Sequence, residues 1–431
     1  MAGVAVGLLL LCGGTVAAGI LVLRRSGALE QPQPPVSQPT FVEPIDTGPV
    51  VWSPLDTGGG PLTSTWSELA DDYADSTGET VQVQPVDETL LEVRFASGEA
   101  PDLFYTPGGV RLRDRVERGM VRDLTDDLAD VIEKIPPGLL APYTVDGRVY
   151  GLPYHTDAIG VWYNRSLFAQ AGLDPDRPPR TWNEFLSVVD TLKRAGIAPV
   201  ALAGAESWTV VYWYGCLATQ VAGADAFPEA GRQRSLSENP DFLRAAQLLA
   251  DFIAREPFQP NYQGATYVLD QSQLVGTGQA AMELVGSWAP AMYLPDGPAA
   301  DLGWFPFPAV EGGNAADGEV YGLSQGFAVS ADAPANTVDL LRFLYEKENY
   351  QRLLAADGGL IPVMAGFEVD PAVAPVMEAT HAAPAVQLDL SFEMPAEVVG
   401  TLNAAMSDLL LRGASPEDTI AQVTEVWQAT G

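Results

Sequence analysis

The segment VVWSPLDTGGGPLTSTWSELADDYADSTGETVQV (residues 50–83) indicates the fold class. It opens with three apolar residues, which predict a short buried strand. Apolar residues then recur at spacings of four, three and four, one face of a helix: Leu62, Trp66, Leu69 and Tyr73. Val81 and Val83 alternate with polar residues, as in a second strand. Strand, helix and strand in this order predict parallel strands joined by a helical crossover, and hence an α/β fold.

The same alternation continues along the chain. Pro101 to Tyr105 reads as a third strand, which a Pro-Gly-Gly turn ends. The sequence Thr181-Trp182-Asn183-Glu184 is a capping box that opens a helix, and Ser415 opens the last helix with a proline after it. Because 431 residues exceed what one hydrophobic core usually organises, we expect two compact units.

Composition excludes several classes of partner. The chain carries 56 acidic and 23 basic residues, a formal net charge of −33, and such a surface repels nucleic acid. Two cysteines (Cys12 and Cys216) and two histidines (His155 and His381) are too few for a cysteine-based or histidine-rich metal site. We therefore expect no nucleic-acid partner, no metal and no cofactor.

The first 47 residues differ in character from the rest. Ala2 to Leu23 carries no charge and is long enough to cross a bilayer as a helix; Arg24 and Arg25 follow it. Gln31 to Pro44 is rich in proline and predicts an extended spacer. We expect residues 1–25 to be a signal or membrane anchor and 26–47 a linker, which would tether an exported body to the membrane surface.

Three details leave the fate of the apolar run open between cleavage, lipidation and a permanent anchor. Leucines precede Cys12 where a lipoprotein signal wants a small residue, and no basic residue precedes the run. Arginines that follow the run would favour a cytoplasmic body by the positive-inside rule, against export.

Catalytic motifs are missing from the sequence. It contains no Gly-x-Ser-x-Gly elbow, His-Glu-x-x-His pair, Walker A loop or Gly-x-Gly-x-x-Gly after a strand. A pair of carboxylates for glycoside hydrolysis stays open, because 56 acids allow many pairs. The pattern favours a binding protein over an enzyme.

Several motifs occur in the order typical of one family. They are ASGEAPDLF (96–104), DGRVYGLP (146–153), VWYNRSLF (161–168), AGL (171–173), PRTWNEF (179–185), GQAAME (278–283), GSW (286–288), FPFP (305–308) and FAVS (327–330). In this order they resemble the extracellular solute-binding proteins of family 1, the group that contains the maltodextrin-binding protein. The resemblance runs from about residue 50 to the end of the chain.

The resemblance implies two α/β lobes with a sugar bound in the cleft between them. The first lobe would comprise 48–156 and 305–357 and the second 157–304 and 358–431, with crossings near 154–157, 304–308 and 357–360. The protein would be a monomeric, extracytoplasmic subunit of an ABC importer that closes on a sugar and delivers it to membrane permease subunits. A sensor ectodomain coupled to a membrane receptor, or a carbohydrate-active enzyme, is the alternative.

Sugar clefts combine flat aromatic side chains with carboxylate or amide groups. Trp288 follows Gly286-Ser287, two small residues that leave room beside an indole, and is expected to stack on a sugar face. By resemblance, Asp157 occupies a position that holds an acidic ligand residue. His155, two residues earlier, is a further candidate, although a lone histidine is more often structural.

The remaining candidates follow from position in the lobes. Tyr105 ends a strand before a Pro-Gly-Gly turn, where the resemblance implies a cleft aromatic. By the same resemblance, the turn after the first strand, with Asp56, Thr57 and Gly58, lies at a lobe edge that contacts the ligand. Trp208 and Trp213 lie in an aromatic-rich segment of which one or two members should face the cleft. Gln325 is a polar candidate within Tyr321 to Gly326.

Overall fold

The computed structural model describes residues 48–55, 61–293, 301–356 and 361–430. The apolar run, the proline spacer and the predicted site residues Asp56, Thr57 and Gly58 lie outside these ranges. No helix within the described ranges combines the length and apolar character needed to span a membrane.

The chain from residue 48 to 158 alternates strands and helices. Its elements are β1 (Val50–Ser53), α1 (Pro61–Thr77), β2 (Val81–Val83), α2 (Glu88–Ser97), β3 (Leu103–Thr106), α3 (Gly109–Glu117), α4 (Ala129–Ile132), α5 (Pro137–Leu140), β4 (Thr144–Val145), β5 (Arg148–Val149) and β6 (Gly151–Ala158). The strands and helix predicted in residues 50–83 and the strand ending near Tyr105 are confirmed, and α1 buries the predicted face.

The middle of the chain, from residue 160 to 306, is mostly helical. Its elements are β7 (Gly160–Asn164), α6 (Arg165–Gln170), α7 (Trp182–Arg194), β8 (Ala198–Val200), α8 (Ser207–Ala222), α9 (Ala226–Gln233), α10 (Pro240–Ala254), a π-helix (Tyr267–Gln271), α11 (Ser272–Gly276), β9 (Ala280–Val285), α12 (Ala289–Met292) and β10 (Leu302–Pro306). The predicted capping box opens α7, since Thr181 and Glu184 bond each other's backbone N–H groups.

The last part completes both halves of the fold. Its elements are β11 (Val320–Val329), α13 (Asn336–Leu344), α14 (Lys347–Ala356), α15 (Ala374–Ala382), β12 (Val386–Leu388), α16 (Leu390–Glu393), α17 (Ala396–Arg412) and α18 (Pro416–Ala429). The side chain of Ser415 caps α18 by accepting from the N–H of Asp418, as predicted.

Two main sheets organise these elements. The first has the order β12-β11-β3-β1-β2, with β6 also on β11; β1 is parallel to β2 and β3, whereas β6 and β3 are antiparallel to β11. The second has the order β10-β7-β9-β8. The parallel pairing expected from the strand–helix–strand pattern is confirmed in the first sheet.

Each sheet has its own hydrophobic core, and we call each sheet with its helices a lobe. The first lobe's core includes Trp52, Trp66 and Phe327, which meet edge to face. The second lobe's core joins α7, α8 and α10 to the C-terminal helices α17 and α18. The two-lobed α/β fold predicted from the sequence is confirmed.

Within the residues that the structure describes, the chain passes between the sheets at three places. It leaves β6 for β7 around Ile159, runs from β10 to β11 after Pro306, and leaves β12 for α16 at Asp389. The last crossing differs from the boundary expected near residue 358. The stretch after Ile361 instead stays on the first lobe, because β12 extends the first sheet and the side chains before it join its core.

Candidate functional site

Trp288 lies in the turn between β9 and α12, at the contact between the lobes. Its side chain is half-buried and packs against the cores of both lobes. A hydrogen bond from the neighbouring strand β7 fixes this turn: the indole N–H of Trp162 donates to the Gly286 carbonyl at 2.9 Å. A Cβ atom on Gly286 would lie 2.2 Å from Cζ3 of Trp288. The indole therefore rests directly on the glycine, as the sequence predicts.

Asp157 lies near the end of β6 and is completely buried. Its Oδ2 accepts hydrogen bonds from the backbone N–H and the hydroxyl of Ser287, at 2.7 and 2.8 Å. Its Oδ1 is buried and accepts no hydrogen bond from the part of the chain that the structure describes. Burial raises the pKa of Asp157 to about 7. One oxygen of this carboxylate is thus held in place while the other has unmet bonding capacity.

Trp208, at the start of α8, forms an aromatic wall with Tyr267 and Tyr212. Its ring lies 5.2 Å from each of the two tyrosine rings, edge to face. Glu206 holds this wall: Oε2 accepts from the Trp208 indole N–H at 2.8 Å, and Oε1 accepts from the backbone N–H of Tyr267 at 2.9 Å. Like Trp288, Trp208 is half-buried and contacts both cores.

A second buried carboxylate supports the wall from behind. Glu283 on β9 accepts hydrogen bonds from the Tyr293 hydroxyl at 2.6 Å and from the Gln271 amide at 3.1 Å. Burial raises the pKa of Glu283 to about 7. Gln271 ends the π-helix that begins at Tyr267, so this network fixes the segment that presents the Tyr267 ring.

The structure places Trp213 away from the site, in the core of the second lobe. It is 1% exposed and its ring lies 4.9 Å from that of Phe252 and 6.0 Å from that of Phe307. The prediction of Trp213 as a ligand residue is therefore wrong. Of the two tryptophans of α8, Trp208 is the one that lies at the lobe contact.

His155 connects two first-lobe segments. Its Nδ1 lies 2.9 Å from the backbone nitrogen and 3.2 Å from the carbonyl oxygen of Ile361, so it accepts from the N–H in one tautomer and donates to the carbonyl in the other. Burial lowers the pKa of His155 to about 4, so the ring stays neutral. This bonding describes a structural histidine that holds the segment after residue 360 against β6.

Tyr105 and Gln325 lie in the first sheet. Tyr105 on β3 is buried, and the charges that act on its hydroxyl are Glu88 on α2 and Arg111 on α3. Gln325 on β11 accepts a hydrogen bond from the Tyr154 hydroxyl. No hydrogen bond, ion pair or ring contact among the described residues joins either side chain to Trp288 or Asp157.

Tyr267 and Glu206 were missed at the level of sequence. Tyr267 belongs to a π-helix, and a hydrophobic pattern in the sequence does not reveal a π-helical period. Glu206 precedes a helix, where an acidic residue is usually solvent-exposed and carries no sign of a binding role. Glu206 could have been predicted from its position two residues before Trp208, where its carboxylate can reach the indole N–H. Among the described residues, no group of histidine, cysteine or carboxylate side chains could hold a metal ion.

A cavity of about 720 Å³ lies elsewhere, beside the edge strand β10. Its lining is mostly apolar and includes Phe307, Val320 and Ala379, but none of the predicted site residues. It offers no buried carboxylate with an unpaired oxygen, so we place the candidate site at Asp157, Trp208, Tyr267 and Trp288.

Comparisons with known proteins agree with this fold. A sequence profile described as "Bacterial extracellular solute-binding protein" matches residues 59–351. The chain is 28% identical to the multiple sugar-binding protein of Streptococcus mutans serotype c over 233 residues, 52% of this chain and 54% of that protein. It is 28% identical to an sn-glycerol-3-phosphate-binding periplasmic protein of Brucella abortus over 156 residues, 34% of each chain.

The chain thus spans about half the length of the first curated relatives it matches, or less. A solved structure titled chitin oligosaccharide binding protein covers more: it is 25% identical, with a TM-score of 0.71, and the match includes 88% of this chain and 98% of that one.

Proposed function

The chain belongs to the bacterial extracellular solute-binding proteins, and we propose that it captures a carbohydrate between its two lobes for an ABC importer. The family is one of binding proteins, as the sequence predicts, and the role proposed here is binding without catalysis. Relatives named as sugar-binding and oligosaccharide-binding proteins support a carbohydrate as the ligand class.

The observation that carries this proposal is the pairing of Asp157 with Trp288. Sugars present hydroxyl edges and weakly apolar C–H faces, so their sites need hydrogen-bonding groups beside flat aromatic rings. Asp157 offers a buried acceptor oxygen without a partner among the described residues, and the half-buried indole of Trp288 lies next to the same turn. Trp208 and Tyr267 extend the aromatic surface.

The position of the site supports capture by lobe closure. Asp157 belongs to a strand of the first sheet, whereas Ser287 and Trp288 follow a strand of the second. A ligand that contacts both sides adds interactions only when the lobes are together, so it favours the closed arrangement. We propose that membrane permease subunits recognise this closed form of a monomeric binding protein.

We also propose that the globular body is tethered to the extracytoplasmic face of the membrane. The apolar run Ala2–Leu23 and the spacer that follows it, both outside the described residues, would form the tether. The family description places its members outside the cell. Fractionation of cells that express the full chain tests the tether: we expect membrane-bound protein that external protease can cleave. Recovery in a soluble, protease-protected fraction would contradict both tether and export.

A thermal-shift screen against neutral mono- and oligosaccharides tests carbohydrate binding. A ligand at 100 times its dissociation constant adds about 2.7 kcal/mol to the free energy of unfolding, which shifts the midpoint measurably. We expect at least one sugar to do so, and to lose its effect on a Trp288→Ala variant. A panel in which no sugar shifts the midpoint would contradict the proposed function.

A further inference from the structure

The charges around the candidate site are acidic. Asp157 bonds to the turn that carries Trp288, Glu206 bonds to the aromatic wall, and Glu283 bonds to Gln271 at the end of the π-helix that begins at Tyr267. The titratable groups that act on the Tyr267 hydroxyl are Glu283 and Asp157, and those that act on Tyr212 include Asp157 but no lysine or arginine. A ligand at this wall therefore meets negative charge from several directions.

Two arginines of the first lobe are engaged with partners of their own. Arg111 and Arg115 on α3 contact Glu88 at 3.4 and 3.0 Å, and Arg111 also donates to the Ser391 carbonyl. The three stretches of the body outside the described ranges, 56–60, 294–300 and 357–360, contain three aspartates and no lysine, arginine or histidine in sequence.

Two buried polar atoms define what the site can recognise. Oδ1 of Asp157 is an acceptor that no described residue bonds. The hydroxyl of Tyr267 has the Trp288 side chain as its hydrogen-bonding neighbour, and because an indole N–H can only donate, the proton of the hydroxyl has no acceptor within the described ranges. Trp288 lies close to both groups. Its ring contacts Gly286, which also lies beside Oδ2 of Asp157, and its side chain interacts with the Tyr267 hydroxyl.

A ligand hydroxyl suits this pair of atoms, because it can donate to Asp157 and accept from Tyr267 at the same time. A phosphate or carboxylate oxygen at neutral pH cannot donate. It would also bring a negative charge against buried carboxylates, and like charges placed together at an interface weaken binding strongly.

We propose, on the basis of the proposed function, that this site takes an uncharged sugar through a hydroxyl shared by Asp157 and Tyr267, and that it excludes phosphorylated and carboxylated sugars. The glycerol-phosphate ligand in the name of one relative is therefore not a ligand of this chain. In this proposal Tyr267 is a ligand-binding residue. Glu206 is a positioning residue, because it accepts a hydrogen bond from the backbone N–H of Tyr267.

Calorimetric titration with matched pairs of ligands tests this inference. The pairs are galactose with galacturonate, glucose with glucose 6-phosphate, and xylotriose with a glucuronic acid-substituted xylotriose; glycerol 3-phosphate is added alone. We expect a neutral member to bind and its charged partner to bind at least about 100-fold more weakly. The titrations are made at pH 8, above the pKa of about 7 of Asp157.

The possible outcomes separate the inference from the proposed function. Tighter or equal binding of a charged member would overturn the inference while solute binding stands. Binding of no compound in the neutral set would contradict the proposed function, and the inference would fall with it.

Two variants test the shared hydroxyl. Tyr267→Phe removes only the phenolic oxygen and should weaken binding of the neutral sugar on the order of tenfold. Tyr150→Phe, a half-buried tyrosine of the first lobe, is the matched control and should bind as the wild type does. Asp157→Asn should narrow the ratio between neutral and charged partners, whereas Asp251→Asn on the exposed face of α10 should not. Unchanged affinity in Tyr267→Phe would overturn the role of Tyr267.

Discussion

Asp157 and Ser287 join the two lobes through one carboxylate oxygen, which accepts from both the backbone N–H and the hydroxyl of the serine at 2.7 and 2.8 Å. The aspartate belongs to the first sheet, and the serine follows a strand of the second. The turn that carries Trp288 is therefore anchored to the opposite lobe. Changes at this turn should affect ligand binding more than folding.

Replacement of Trp288 by alanine should weaken sugar binding by about 2 kcal/mol or more, on the order of thirtyfold. The cost in stability should be small, about 1–2 kcal/mol, because the side chain is only half-buried. Calorimetry measures the affinity and urea unfolding measures the stability.

Trp213→Ala is the matched control on the same type of side chain. Because Trp213 is 1% exposed within the core of the second lobe, its removal should cost about 3–5 kcal/mol of stability. Its affinity should stay near that of the wild type under conditions where it is folded. The reverse pattern, a large stability loss in Trp288→Ala with normal affinity, would make Trp288 a core residue.

The close approach at Gly286 gives a second prediction. An added Cβ would lie 2.2 Å from the Trp288 ring and 2.5 Å from Oδ2 of Asp157, so Gly286→Ala must displace one of them. We expect sugar affinity to fall at least tenfold. Gly400→Ala, at an exposed position of α17 with no atom within 4 Å of the added carbon, should bind normally and gain about 0.5–1 kcal/mol of stability. Equal affinity in both variants would show that the indole has room to move.

Acidification should stabilise the protein between about pH 8 and pH 5. The folded state raises the pKa of Asp157 and of Glu283 to about 7, so it binds protons more tightly than the unfolded state does. Their contribution to stability is fully present below the unfolded pKa of about 4 and is lost as the pH rises through about 7.

We expect the free energy of unfolding to be greater at pH 5 than at pH 8 by on the order of 5 kcal/mol, because each of the two carboxyl groups contributes about half of that difference. The net charge of −33 acts in the same direction. Urea unfolding across this range measures the slope, and the double variant Asp157→Asn with Glu283→Gln should flatten it. If the free energy of unfolding of the wild type instead rises from pH 5 to pH 8, ionisation of these two carboxyl groups costs the folded state little free energy, and the prediction is wrong.

The fold could be predicted from the sequence because its elements carry local signals. The face of α1 repeats every three or four residues, and the capping box at Thr181 marks the start of α7. The place of β12 could not be predicted, since its three residues, Val386–Leu388, pair with β11 from a distant part of the chain. For that reason the last crossing occurs later than expected.

The contact between Trp288 and its neighbours in the candidate site could be predicted from small residues in the sequence. The small residues Gly286 and Ser287 predict space for the indole of Trp288, and in the structure the indole contacts Gly286 directly. The two tryptophans of α8 could not be distinguished, because nearly every side chain of that helix is buried and no polar face shows its orientation. Tyr267 reaches the site only through tertiary packing of its π-helix.

Ligand binding should also bring the lobes together. Small-angle scattering of the protein with a saturating sugar from the screen should show a smaller radius of gyration than without it, because contacts on both lobes favour the closed form. Trp288→Ala at the same sugar concentration should show less of this change. An identical profile with and without bound sugar would contradict closure while leaving binding intact.

A crystal structure of the complex with the tightest-binding neutral sugar tests the central claim most directly. We predict a sugar ring against the indole of Trp288 or Trp208, with one hydroxyl within hydrogen-bonding distance of Oδ1 of Asp157 and of the Tyr267 hydroxyl. A sugar bound in the cavity beside β10 instead, with Oδ1 of Asp157 still without a ligand contact, would contradict it.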